Sequence, residues 1–288
     1  MRGISVVFAA SVSLLPLLLI AAAASGDARA QGAKPKTAAA PAAPPFVLTP
    51  ALTAKLKSTD EAQIKSALDD IRLAGKPAQS AAPLVADLLQ RGTTTTLAEA
   101  ALDTLGDLEA EVASPAVATY LSHRTVELRR AAVKALLKTK GPAAVKALRH
   151  ALSDSDPMVR GVAATGLGTL KAKDAVPDLF VALDRKIPEA AAAIGQLCAP
   201  SECDQLAGKL GRFPFDVVTG GLDQILFRPP ADVSDDEKIK VIGKLRELGT
   251  QEANKFLRDV QTRWPKGWSA RVKQSIDQGV LATAGGSQ

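Results

Sequence analysis

Aromatic residues, histidine and cysteine are scarce in this chain. Its 288 residues hold seven Phe, two Trp, one Tyr, two His and two Cys. With aromatics at 3%, the apolar 47% is mostly Ala, Leu and Val. That is poor material for strands, which favour aromatic and β-branched side chains. It suits helices, because Ala and Leu are strong helix formers and Ala lets helix axes approach closely. His123 lies in a connector and His150 stands beside Arg149, so few general bases are on offer. No nucleophile elbow, Gly-rich phosphate loop or His-Glu metal pair is present. Asp232, Asp235, Asp236 and Glu237 lack the alternating spacing of a calcium loop and read as the acidic first turn of a helix. No catalytic residue, cofactor or metal site is expected, and no enzymatic activity.

Cys198 and Cys203 stand in Cys-Ala-Pro-Ser-Glu-Cys. They read as a local disulfide fixing a turn between helices, with two free thiols as the alternative. A metal site would need further ligands, and neither histidine is near in sequence.

Long apolar runs are missing beyond the N-terminus. There, Arg2 precedes an apolar stretch from Ile4 to Ala24, and Ala28-Arg29-Ala30 offers a small-x-small site. Residues 1–30 read as a signal peptide cleaved after Ala30, the alternative being an uncleaved anchor. The mature chain is then expected to be exported, periplasmic or secreted, with no membrane span. Cleavage lowers the formal charge from +6 to +5, because Arg2, Arg29 and Asp27 are lost. Basic and acidic residues alternate along the remainder, which is weak ground for a nucleic-acid partner.

Residues 31–57 read as a disordered linker, Pro/Ala-rich at 31–45. Repetition follows. Ala67-Leu-Asp-Asp-Ile71, Ala101-Leu-Asp-Thr-Leu105, Ala132-Val-Lys-Ala-Leu136 and Ala163-Ala-Thr-Gly-Leu167 align, their last apolar positions 34, 31 and 31 residues apart. Ile194 and Ile225 continue the series after 27 and 31 more. A second amphipathic segment follows the first in each unit, as in 82–89, 144–152 and 175–183. Helix starts are expected at Ser114-Pro115 and Asp156-Pro157, and capping boxes at Ser58…Glu61, Thr96…Glu99 and Ser234…Glu237. Asp174 is placed to cap the segment from Ala175. Such hairpins cannot bury their apolar faces alone and must stack in a row. The expected fold is all-α, an α-solenoid of stacked antiparallel helix pairs over 58–260. A modified C-terminal cap starts near Phe213, followed by a Trp/basic segment and disordered tail at 261–288.

The clearest unit is Leu152-Ser-Asp-Ser-Asp156-Pro-Met-Val159-Arg160-Gly-Val-Ala163-Ala-Thr-Gly-Leu167-Gly168, running on to Ala175-Val-Pro177-Asp-Leu179. It resembles the short HEAT-like repeat shared by bacterial scaffold proteins and phycobilin lyases, an armadillo-type superhelix. The resemblance implies an acidic turn pairing with an Arg, here Asp154 or Asp156 with Arg160, as a ladder between repeats. It also implies that second helices line a binding face, putting Asp87, Lys146, Arg149, Asp178 and Arg185 toward a protein partner. The lyase branch would imply bilin chemistry, against which the export signal argues. Arg263-Trp264-Pro-Lys266-Gly-Trp268 adds a second candidate surface, for a protein, a cell wall or an anionic layer, unless the rings instead seal the last helices.

Overall fold

The computed structural model describes residues 46–284, and the expected signal peptide, its expected cleavage after Ala30 and residues 31–45 lie outside them. Fifteen α-helices and no strand occur among the described residues. They are α1 (Pro50–Leu56), α2 (Glu61–Ala74), α3 (Ala82–Arg91), α4 (Thr95–Leu108), α5 (Ser114–Thr119), α6 (Val126–Thr139), α7 (Gly141–Ala151) and α8 (Pro157–Thr169). There follow α9 (Val176–Asp184), α10 (Glu189–Leu197), α11 (Pro200–Ala207), α12 (Phe215–Leu226), α13 (Asp235–Leu248), α14 (Gln251–Arg263) and α15 (Ala270–Thr283). None is long and apolar enough to cross a membrane.

The helices stack as two rows. First helices α2, α4, α6, α8, α10 and α12 each pack on the next, and α14 follows α12. Second helices α3, α5 and α7 pack on one another in an opposite row, and α11, α13 and α15 do so again further along the chain. The six repeat-register residues Ile71, Leu105, Leu136, Leu167, Ile194 and Ile225 all have 0% exposure. The sequence period is therefore the period of a continuous core.

Small residues set the spacing of the first row. A Cβ on Gly195 would run into the carbonyl oxygen of Gly221, and one on Gly221 into that of Ala191. Helices α10 and α12 thus meet backbone to backbone. Gly166 faces the Leu137 side chain of α6, and Gly168 faces the Gln196 side chain and the Ala193 Cα of α10. Four of the first helices, α2, α4, α6 and α8, also end alike. Gly75, Glu109, Lys140 and Lys171 all take positive φ, between 50° and 63°. The left-handed residue turns the chain toward the second helix.

Starts differ more from expectation. Asp156 caps α8, its Oδ1 accepting from the Val159 N–H at 3.1 Å. Ser234 and Glu237 form the capping box of α13. Ser114, however, lies inside its helix, and its hydroxyl bonds Thr139 Oγ1 and the Lys140 carbonyl, both at 2.9 Å. Burial against the neighbouring unit is a stronger claim on that hydroxyl than the exposed start of its own helix. The cap of α2 is Asp60, with the Ser58 hydroxyl accepting from the Asp60 N–H. Thr96 is already helical in α4, and Asp174 makes no side-chain cap on α9.

Helical structure extends past both expected ends of the solenoid. Helix α1 lies within the segment read as linker, because Thr49 caps it and Leu52 and Leu56 are buried against the following helices. Helix α15 lies within the stretch read as Trp/basic segment and tail, where Val272, Ile276 and Val280 cover the end of the core.

Candidate protein-binding face

Polar ladders join the repeats, and their wiring differs from the expected one. Arg129 of α6 spans to the next turn and binds Asp154 with both ends of its guanidinium, at 2.9 and 3.0 Å. Arg130 does the same with Asp156, at 3.0 and 2.6 Å. Arg160 pairs with neither carboxylate. It donates to the Asp154 and Ser155 carbonyls, closing its own turn. The carboxylates point back toward the preceding unit, so each aspartate is reached by the arginine about 25 residues earlier rather than by its own helix. Arg129 also donates to the His123 and Arg124 carbonyls, so it serves as both turn clamp and ladder rung.

The Arg129–Asp154 pair is nearly buried, at 13% and 9% side-chain exposure. Burial pushes the Asp154 carboxyl up, but hydrogen bonds from Arg129 and the Asp156 backbone outweigh it and hold it below the usual value. The Asp156 carboxyl falls to about 2, chiefly through Arg130, with burial opposing and the Val159 N–H helping. Further along the stack, Asp107 receives Arg72 and Lys138, so one carboxylate links α2, α4 and α6.

His123 and three residues of the acidic run, Asp235, Asp236 and Glu237, have structural partners. His123 stacks on Tyr120 with ring centroids 5.7 Å apart, and its Nδ1 accepts from the Thr125 N–H. Asp235 takes the Ser269 hydroxyl at 2.5 Å, Asp236 pairs with Arg271, and Glu237 belongs to the capping box. Cys198 and Cys203 are joined by a disulfide across the α10–α11 turn, both side chains buried. Arg228 donates to the Cys198 carbonyl at 2.8 Å and ties this turn to the next repeat.

Trp264 is not a surface contact. It is 9% exposed, and its ring meets Phe227 at 6.0 Å and Trp268 at 5.3 Å between centroids. The Nζ of the buried Lys238 lies 5.6 and 4.5 Å from the centroids of Trp264 and Trp268 and donates to the Arg228 carbonyl at 2.6 Å. Burial lowers the pKa of this ammonium, Asp235 opposing and Arg228 adding to the shift. The apolar claim of the final helices on the ring outweighs any use of it outside. Trp268 is half-buried, and of these three candidates Lys266 alone is exposed.

A run of grooves lies along the second helices. Ala118, Leu121 and Ser122 face Ala143, Lys146, Ala147 and His150 across a groove between α5 and α7. Arg149, Leu152 and Ser153 face Asp178, Val181, Ala182 and Arg185 across the next, between α7 and α9. Arg149 bridges that groove to Asp178 at 2.5 Å, and Arg185 donates to Ser153 Oγ at 3.3 Å. Asp87 pairs within α3 to Arg91 at 2.9 Å, and Arg91 also reaches the Leu56 carbonyl. Five expected contact charges therefore divide. Asp87, Arg149 and Asp178 are engaged in ion pairs, while Lys146 and Arg185 have no carboxylate partner among the described residues.

A third groove was missed by sequence reasoning. Leu183, Asp184, Lys186 and Pro188 at the end of α9 face Arg212, Phe213, Pro214 and Val217, enclosing about 450 Å³. Its wall is the seven-residue connector between α11 and α12. The only sequence signal was Phe213, where the repeat pattern first departs.

The family pattern described as HEAT repeats matches residues 81–160 and 115–198. No characterised protein matches the chain in sequence. Among solved structures, the chain is similar to the CpcE–CpcF complex of phycocyanin lyase from a Nostoc species, at 20% identity and TM-score 0.42, over 82% of this chain and 97% of that one. A designed armadillo repeat protein is similar at 15% identity and TM-score 0.41, over 81% and 98%. Human deoxyhypusine hydroxylase is similar at 15% and 0.36, over 81% and 94%. None of these scores reaches 0.5, so the assignment rests on the repeats themselves. Residues 81–198 are HEAT repeats, and the helix pairs on either side of them continue the same two-row stack.

Proposed function

We propose that this chain is an exported scaffold whose second-helix row binds a protein partner in the cell envelope, without chemistry of its own. The observation that carries this reading is the succession of open grooves between α5, α7 and α9, set one repeat apart on rigid helices. A site built on regular elements holds its contact groups in place, and a row of them suits an extended partner better than a small molecule. The N-terminal sequence supports export through its positive start, apolar run and small-x-small site. Repeat folds host many activities, so the argument rests on the grooves rather than on the fold.

The double charge reversal Lys146→Glu/Arg149→Glu tests the face. Both side chains are exposed, so the melting temperature should shift little. Capture of an envelope partner by crosslinking in cells should fall at least tenfold. Undiminished capture by the variant would reject the face.

A further inference from the structure

Resting on the scaffold reading, we infer that the groove between α9 and the α11–α12 connector seats a bulky apolar side chain from an acidic peptide segment of the partner.

The floor is apolar. Leu183, Pro188, Phe213, Pro214 and Val217 supply most of the lining, and about 450 Å³ is room for one or two large side chains. Phe213 is held in place by Lys209, whose Nζ lies 4.7 Å from the ring centroid and 6.0 Å from that of Phe180. The same ammonium pairs with Asp184 at 2.6 Å. The one carboxylate in the lining is thus already neutralised, by a lysine side chain only 17% exposed.

The rim is cationic. Lys186 and Arg212 line the groove and are exposed, and neither has a carboxylate partner among the described residues. Arg185, next in the chain to Lys186, points to the adjoining groove with Lys146 beyond it. The acids lining these grooves, Asp178 and Asp184, are both in ion pairs. Glu189 and Asp216 stand in the first turns of α10 and α12, outside the lining. The face as presented to a partner is therefore a short row of free cations beside an apolar slot. Its electrostatic complement is a segment with carboxylates flanking an apolar anchor.

A displayed library of random peptides, about ten residues long, selected on the full chain is the test. Enriched peptides should carry Asp or Glu on both sides of Leu, Ile or Phe. The enriched peptide, labelled for fluorescence anisotropy, should bind Lys186→Glu/Arg212→Glu at least tenfold more weakly and lose affinity with added salt. Enrichment of basic or uncharged peptides, no enrichment, or equal binding to the variant would overturn the proposal. In-cell crosslinking separates the two failures. If only this groove is wrong, the partner is still captured by Lys186→Glu/Arg212→Glu but lost from Lys146→Glu/Arg149→Glu. If the scaffold reading is wrong, the wild-type chain captures none.

Discussion

Arg129 shows how much one side chain does between repeats. It binds a nearly buried aspartate, clamps its own turn and joins two units. Arg129→Ala leaves the Asp154 carboxylate desolvated and unpaired, and the expected loss is about 2–4 kcal/mol of unfolding free energy. Lys138→Ala, at a pair exposed to 55% and 31%, should cost less than about 1 kcal/mol. Urea unfolding of the two variants side by side checks that ordering. Acid behaviour follows from the same rungs. The Asp156 carboxyl sits near 2 against an ordinary 3.8, so its stabilisation is complete above the ordinary value and is lost as pH falls through about 2. Asp156→Asn should therefore flatten the stability profile between pH 4 and 2 relative to wild type, measured by thermal melting across that window.

At the scale of helices, the α10–α12 crossing is the tightest joint. Gly195→Ala must push a methyl against the Gly221 carbonyl, and neither backbone can yield without moving a whole helix. The expected cost is about 1–3 kcal/mol, with α12 displaced. Gly220→Ala, on the same helix but with no atom within 4 Å of a new Cβ, should be neutral or mildly stabilising. Equal melting temperatures for the two variants would refute the close crossing. This is also where the sequence was easiest and hardest to read. Ile71, Leu105, Leu136, Leu167, Ile194 and Ile225 announce the first helices, because one apolar position per period must face the core. Helix α1 escaped notice because seven residues are too few to show a stripe beside a Pro/Ala tract. The ladder partners escaped because i-to-i+25 pairing depends on how far one hairpin is turned against the next, which no local spacing encodes. Trp264 was ambiguous for a related reason, since a tryptophan beside Lys and Arg reads alike whether it seals a helix end or meets a partner.

For the molecule as a whole, two rows divide the labour. The first helices are drawn together by glycine and alanine and form the continuous core. The second helices leave grooves on their outer side, and the charges along them are partly spent on ion pairs and partly free. Lys134 stands in the first-row groove between α4 and α6, whereas Val181, 50% exposed, stands in the second-row groove between α7 and α9. A photo-crosslinking residue placed at each of these two positions in cells compares the faces directly. Covalent capture of one discrete protein species from position 181 and not from 134 is the predicted result. Capture from 134 alone, or from neither, would contradict a second-helix binding face.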